Sequence, residues 1–160
     1  KDKGECKQFI NSLSISVIPD IKASKNVIDS IYELYKNTNS INLGNILSSF
    51  STSEFRSYVL NIIKDDESIN EPTIEIVKHI IAVLDDGQFD ENLEIIADIY
   101  EKSNDGFRSW FNAIITSNRI TKFDDFYDKL NDHVHKDTLA TIITSMQLIK
   151  EFRCADIRNS

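Results

Sequence analysis

Apolar residues recur at helical spacing along almost the whole chain. The spacing i, i+1, i+4, i+7, i+8, for example, places five residues on one face of a helix: Val27, Ile28, Ile31, Leu34 and Tyr35. No stretch shows the strict alternation that is typical of a strand. We therefore predict an all-α protein of about nine amphipathic helices. They lie near residues 9–16, 27–35, 43–50, 51–63, 72–84, 90–100, 107–115, 123–130 and 137–154.

Several helix boundaries carry their own signals. Pro72 suits the first turn of a helix, where its missing N–H leaves no hydrogen bond unmade. Ser51 and Glu54 have the spacing of a capping box, so we expect a helix to start there. The run at residues 85–87, Asp-Asp-Gly, is predicted to end a helix. Further predicted caps are Asp90, Thr121 and Asp124.

Three regions carry the most apolar surface. The helices predicted at residues 72–84 and 90–100 have apolar arcs much wider than 100°, so we expect other helices to surround them. Residues 107–130 hold the only tryptophan and four of the nine phenylalanines. Because aromatic side chains bury the most area, this stretch is predicted to lie at the centre of the molecule.

Part of the sequence echoes itself. Phe-Arg-Ser-Tyr at residues 55–58 matches Phe-Arg-Ser-Trp at 107–110, and an Ile-Ile pair follows each at the same distance. A second, weaker echo has a different offset, so one gapless duplication does not explain both. We predict a single domain over residues 1–160, and one interpretation gives it diverged half-repeats at 20–86 and 87–153. Chance similarity between amphipathic helices is the other interpretation.

Composition excludes some classes of partner and supports the helical prediction. Apolar residues make up 41% and charged residues 28%, whereas Gly (4) and Pro (2) are too few for a chain of many hairpins. No run approaches the roughly 20 apolar residues that span a bilayer. The net charge is −8 and the basic residues are not clustered, which argues against a nucleic-acid partner.

The two cysteines, Cys6 and Cys154, stand near opposite ends of the chain. The sequence begins with Lys1 rather than Met, as mature secreted chains do, and secreted proteins keep disulfides. We therefore expect a secreted protein with a Cys6–Cys154 disulfide, which would stabilise the chain by about 4 to 5 kcal/mol in the loop-entropy model. Two unrelated thiols in a cytosolic protein are the alternative.

No pattern of catalytic or metal-binding residues stands out. His133 and His135, with Asp132 and Asp137 nearby, lack a third ligand at diagnostic spacing, so we interpret them as a solvated pair at a helix end. His79 has no nucleophile or paired acid placed to use it, and is predicted to be a helix-face residue. Phosphate loops, nucleophile elbows and Cys-x-x-Cys pairs do not occur. We predict a protein that is not an enzyme and has no cofactor and no metal.

The sequence also resembles a known family. From residue 91, the string ENLEIIADIYEKSNDGFRSWFNAIITS is similar to the repeat of the insect allergen-related family, which includes cockroach repeat allergens and mosquito midgut microvillar proteins. The following residues 122–132, and residues 49–69 in the first half, resemble other parts of that repeat. The resemblance covers about half of the chain. It implies a secreted, all-helical capsule around a large apolar cavity that holds fatty acid or phospholipid.

Two functions follow as hypotheses. The first is a binding protein that holds fatty acid, phospholipid or another apolar ligand in an internal cavity. The second is a helical interaction protein, secreted or intracellular, that presents an apolar groove to a partner helix. If the cavity exists, we expect it to be lined by Tyr58, Ile62, Ile80, Leu93, Ile96, Tyr100, Phe107, Trp110, Phe111, Ile114, Phe123, Phe126, Leu130, Ile142 and Met146. An ordinary close-packed core is the alternative for the aromatic residues among them, together with Tyr127.

Overall fold

The structure is a computed structural model that describes the backbone of residues 21–159 and the side chains of residues 24–155. Over this part of the chain it contains nine α-helices, one π-helix, one 3₁₀-helix and no strand, which confirms the all-α prediction. The α-helices are α1 (Ile21–Thr38), α2 (Ile41–Ser48), α3 (Ser53–Lys64), α4 (Glu71–Val83), α5 (Asp86–Glu91), α6 (Leu93–Lys102), α7 (Asp105–Ala113), α8 (Phe123–Lys129) and α9 (His133–Asn159). The π-helix is Ile114–Asn118 and the 3₁₀-helix is Ile120–Lys122. The helix predicted near residues 9–16 lies outside the described residues.

Backbone contacts divide the chain into two compact units. Within the described residues, unit 1 ends at Ile96 and unit 2 begins at Ala97, so that the boundary falls inside α6. The boundary between the predicted half-repeats lies earlier, after residue 86. The single domain over residues 1–160 and the two-fold repeat both stay predictions.

Side-chain caps begin most helices of unit 1. The Ser40 side chain accepts a hydrogen bond from the amide of Leu43 at the start of α2, and Asn70 does the same for Thr73 in α4. Pro72 lies in the first turn of α4, as predicted. The capping box predicted from Ser51 is wrong by one residue, because it is Thr52 that caps α3. In a Ser-Thr-Ser run all three side chains are acceptable caps, and sequence alone does not separate them.

The run at residues 85–87 follows the end of α4 at Val83, as predicted, but it also begins a further helix. Asp85 accepts a hydrogen bond from the Gln88 amide at 2.8 Å, and the Gln88 side chain accepts one from the Asp85 amide. This capping box begins the short helix α5, which the sequence did not predict. Asp90 therefore lies inside α5 and is not the cap of the next helix, α6.

The core of unit 1 comes mainly from α1 to α4, and α1 contributes Ile28, Ile31, Tyr32 and Tyr35. Val59, Leu60 and Ile63 of α3 are buried, and so is almost the entire wide apolar arc of α4, as predicted for a surrounded helix. Gly44 of α2 lies against α4, where a Cβ would come within 3.4 Å of Ile76, at the edge of ordinary van der Waals contact.

Unit 2 contains the end of α6, then α7, the π-helix, α8 and α9. Asn104 caps α7 through the amide of Phe107. The start of α8 has no side-chain cap, so the prediction that Thr121 and Asp124 cap it is wrong. The last helix begins at His133, four residues before the predicted start, and at 27 residues is much longer than α7 and α8.

Candidate functional site: a groove beside the last helix

The aromatic residues predicted to line a cavity pack mostly against each other in unit 2. Tyr100, Phe107, Phe111 and Phe126 are fully buried and form an aromatic cluster. The ring centroids of Phe111 and Phe126 lie 4.7 Å apart, and those of Tyr100 and Phe126 lie 5.2 Å apart. Edge-to-face and tilted contacts at these distances are favourable for aromatic pairs. Such contacts are typical of an ordinary core, the alternative considered for these residues.

A buried hydrogen bond fixes the position of this cluster. The Tyr100 hydroxyl donates to the amide oxygen of Asn112 at 2.6 Å. Burial raises the pKa of Tyr100, so its hydroxyl stays protonated and continues to donate at neutral pH. The bond joins α6 to α7 and holds Asn112 at the back of the groove described below.

The start of α9 is held by the last turn of α6. One carboxylate oxygen of Glu101 accepts hydrogen bonds from the backbone amides of Asn131 and Asp132, at 2.7 and 2.8 Å. His135 lies 3.6 Å from the Asp132 carboxylate, and its ring meets the ring of Tyr100 edge-on. His133 is exposed, so only one member of the predicted solvated pair is in solvent.

The second half of α9 leaves the core. Leu139 is fully buried and Ile142 is half-buried, but Met146, Ile149 and Phe152 are 40%, 53% and 69% exposed. The apolar face of this helix is therefore buried only near the start of the helix. The physical reason is length, because 27 residues of helix extend about 40 Å, further than the short helices of unit 2 can cover. We call Ile142, Met146, Ile149 and Phe152 the apolar stripe.

An open groove of about 450 Å³ lies beside the stripe. The apolar side chains of Ile142 and Met146 form part of its α9 wall, and small or short side chains of α7 and the π-helix form the opposite wall. A second open depression, of about 390 Å³, adjoins Thr138 and Ile142. The groove is lined by Ser109, Asn112, Ala113, Thr116, Ser117, Thr138, Ile142 and Met146.

Hydrogen bonding makes the walls of this groove less polar than their composition indicates. The hydroxyl of Thr116 donates to the Asn112 carbonyl at 2.6 Å, and that of Thr138 donates to the Val134 carbonyl at 3.0 Å. Ser117 donates in the same way to the carbonyl of Ala113. These hydroxyls are occupied within their own helices. Among the residues that the structure describes, no charged one lines the groove, so an occupant meets mainly methyl and methylene groups.

The other predicted cavity residues have different surroundings. Ile80, Leu93 and Ile96 are buried in unit 1 and Leu130 is buried in unit 2, whereas Ile62 and Ile114 are half-buried. Phe123 stacks on Tyr127 with centroids 5.9 Å apart, separately from the aromatic cluster.

Tyr58 of unit 1 lies beside a polar surface depression. Its hydroxyl donates to the Asp29 carboxylate at 2.7 Å, and the ammonium of Lys25 lies 5.5 Å from its ring centroid. The hydrogen bond to Asp29 raises the pKa of Tyr58. Charged residues such as Glu54 and Glu91 line this depression, so it does not match the predicted apolar cavity.

The remaining candidate residues form no further site in the part of the chain that is described. Among these residues, no three of the His, Cys, Asp and Glu side chains are placed to hold a metal ion. His79 is exposed on α4. Cys154 is exposed on α9 and has no disulfide partner among the described residues, and its predicted partner Cys6 lies outside them. No described helix combines the length and apolar character needed to cross a membrane.

Comparisons of the chain with protein-family models, curated proteins and solved structures found no significant match. The resemblance to the insect allergen-related repeat therefore stays a prediction.

Sequence reasoning included Ile142 and Met146 among the candidate residues but missed the small-residue wall opposite them. Residues such as Ser109, Ala113 and Ser117 carry no chemical signal, and the π-helix that contains Thr116 and Ser117 is not visible in the apolar pattern. One signal was available. Leu148 lies outside the stripe, so the apolar residues of α9 cover more than one face, which is unusual for a helix covered from one side only.

Proposed function

We propose that this chain is a helical interaction module, and that the groove and the apolar stripe of α9 together form its docking surface. The observation that carries this proposal is the exposure of Met146, Ile149 and Phe152 on successive turns of α9, next to the groove. Within the described residues, five of the nine exposed large apolar side chains lie on α9. Single exposed apolar residues are common on protein surfaces, but contiguous ones mark interaction sites.

The chemistry of the surface favours an apolar helix face as the occupant. Successive residues of the stripe are four, three and three positions apart, and apolar residues three or four positions apart form the contact face between packed helices. The groove supplies no charge and few available donors, so a charged or sugar-like ligand would lose more hydrogen bonds to water than it gains. Because ion pairs do not contribute in the groove, we expect binding to change little with salt.

Selection of helical peptides tests the proposal. A display library of helical peptides is selected on the purified protein, and peptides that also bind the Phe152→Asp variant are removed. We expect the remaining peptides to carry apolar residues at i, i+3 or i+4, and i+7. Fluorescence polarisation should show at least tenfold weaker binding to Ile149→Asp, because a buried unpaired carboxylate costs several kcal/mol.

Val83 provides the matched control. It is 52% exposed on α4, against 53% for Ile149, so Val83→Asp adds the same charge at equal exposure elsewhere. Peptides that bind the Val83→Asp variant normally but bind the Ile149→Asp variant at least tenfold more weakly support the docking surface. Selected peptides that bind Ile149→Asp as tightly as the unmodified protein would contradict it.

A lipid ligand is the second hypothesis. Its specific support is the groove, whose volume of about 450 Å³ lies within the range of about 300 to 1,000 Å³ for small-molecule sites and whose walls are largely apolar. An acyl chain would gain about 0.8 kcal/mol per buried CH₂. Solvent extraction of the purified protein should then release stoichiometric fatty acid or phospholipid, and oleate should raise the melting temperature. An extract without lipid, together with no thermal shift, argues against this function.

Trp110 further separates the lipid hypothesis from an ordinary core. It is half-buried, and its ring centroid lies 5.7 Å from that of Phe107. If it lines a lipid site, Trp110→Ala should reduce the lipid recovered by extraction more than it reduces stability. A loss of several kcal/mol of stability with unchanged lipid content would place Trp110 in the core.

Secretion and the Cys6–Cys154 disulfide belong to the same proposal. The mass of the intact protein is measured after alkylation without reductant and again after reduction. An unchanged mass before reduction supports a disulfide, which is the state expected of a secreted chain. Two alkyl groups added without reductant would rule the disulfide out.

A further inference from the structure

We propose that the occupant of this docking surface is a second copy of the same chain, and that two α9 helices pair in antiparallel orientation across the apolar stripe. This inference rests on the proposed docking surface and names its partner. Each stripe would cover the other, with Ile149 at the two-fold axis and Met146 opposite Phe152 of the second copy.

The area available matches a small stable interface. A covered aromatic side chain buries about 150 to 250 Å², and Phe152 is 69% exposed. Phe152 alone therefore contributes on the order of 100 to 170 Å² per copy. With Met146, Ile149 and the exposed part of Ile142, each copy buries on the order of 300 to 400 Å², or about 600 to 800 Å² for the pair. The rest of the roughly 1,000 Å² that a specific interface buries would come from the groove wall and nearby methylene groups.

Charge also favours pairing at this place. Residues 142–155 contain Lys150 and Arg153 against Glu151, a net charge of +2 − 1 = +1, whereas the whole chain has a net charge of −8. The remainder of the chain therefore carries −9. Two copies of an acidic protein repel each other least where their surfaces are not acidic, and the second half of α9 is such a surface.

The position of the groove favours an antiparallel orientation of the two α9 helices. Ile142 and Met146 belong both to the stripe and to the groove wall. In an antiparallel pair centred on Ile149, Phe152 of the second copy lies beside Met146 and next to the groove, so one helix covers both features. A parallel pair would place Phe152 beside Phe152 of the second copy and leave the groove empty. The opposed helix dipoles add a small favourable term to the antiparallel pair.

Light scattering after size-exclusion chromatography, over a series of protein concentrations, tests the stoichiometry. We expect the apparent mass to rise with concentration from that of one chain, 18.3 kDa, to twice that value. Ile149→Asp and Phe152→Asp should stay at the mass of one chain with unchanged far-UV circular dichroism, and Val83→Asp should dimerise normally. A protein that stays monomeric at every concentration, or a dimer that Ile149→Asp does not weaken, overturns the inference.

Cysteine cross-linking tests the orientation. In the antiparallel pair the two Cys154 residues lie about 15 Å apart along the helix axis, since ten residues separate them at 1.5 Å each. A short bismaleimide should therefore link Ile149→Cys in a Cys6→Ser, Cys154→Ser background, and should leave the Cys6→Ser variant, which keeps Cys154, unlinked. Efficient linkage through Cys154 indicates a parallel pair and overturns the proposed arrangement.

The two proposals fail differently. The protein can be monomeric and yet bind the selected helical peptides, with weaker binding to the Ile149→Asp variant. In that case the docking surface is supported, and its occupant is another helical partner rather than a second copy. If the protein dimerises and selected peptides dissociate the dimer, both proposals stand. A monomer that also binds no selected peptide removes both.

Discussion

The aromatic cluster and the apolar stripe of unit 2 are made of similar residues in opposite surroundings. Phe126 is fully buried and contacts the rings of Tyr100 and Phe111, whereas Phe152 is 69% exposed on α9. Both phenylalanines occur at helical spacing with other apolar residues. Apolar periodicity therefore identifies the apolar face of a helix, but it does not show whether that face packs in the chain's own core or remains exposed to bind another molecule.

This difference predicts two sets of mutational effects. Truncation in the aromatic cluster should reduce the free energy of unfolding because it leaves a cavity among close-packed rings. Truncation in the apolar stripe should affect association and leave the stability of the monomer unchanged.

Phe111→Ala should have the largest effect. The Phe111 ring contacts Tyr100, Phe107 and Phe126, so its loss should reduce the free energy of unfolding by about 3 to 5 kcal/mol. Chemical denaturation monitored by circular dichroism measures this. Phe123→Ala is the control, because Phe123 is only half-buried and stacks on Tyr127 outside the cluster. Equal losses in the two variants would mean that the cluster is not the centre of unit 2.

Glu101→Ala should have an intermediate effect. It removes the carboxylate that accepts two backbone hydrogen bonds where α9 begins, and we expect a loss of about 1 to 2 kcal/mol, since this site is partly open to water. Glu101→Gln keeps an accepting oxygen without the charge and should lose less. Hydrogen exchange should be faster at Asn131 and Asp132 in Glu101→Ala. Unchanged protection there would show that Glu101 does not hold the start of α9.

Much of the fold could be predicted from the sequence because its helices are strongly amphipathic. The apolar periods placed eight helices within the described residues, and Pro72 marked the start of α4 correctly. The start of a helix was missed where two sequence signals compete. The run Asp85-Asp86-Gly87 has the composition of a break, yet Asp85 with Gln88 is also a capping box, and in the structure the box begins a helix.

The candidate site was harder to predict because it depends on tertiary placement. The sequence shows that Met146 is apolar and in phase with Leu139, but only the structure shows that the core ends between them. The polar wall of the groove is also misleading in sequence. Thr116 and Thr138 count as polar residues, yet their hydroxyls bond to their own helices and their methyl groups remain to contact an occupant.

The echo between the two units predicts a matched pair of smaller effects. Thr52 caps α3 through the amide of Phe55, and Asn104 caps α7 through the amide of Phe107, at the same position relative to the Phe-Arg-Ser motif. Thr52→Ala and Asn104→Ala should each cost about 1 kcal/mol, measured by chemical denaturation. Thr52→Ser and Asn104→Asp keep a capping oxygen and serve as controls. A loss of stability at only one of the two positions would argue against the predicted two-fold repeat.

Phe152→Ala should have the smallest effect on stability. In a dilute, monomeric sample the truncated ring loses few protein contacts, so the free energy of unfolding should stay within about 0.5 kcal/mol of its original value. The same variant should lose peptide binding and dimerisation, which rely on the exposed ring. A loss of 3 kcal/mol or more in the monomer would mean that residues of the same molecule cover Phe152 in solution. The apolar stripe would then belong to the core, and its difference from the aromatic cluster would disappear.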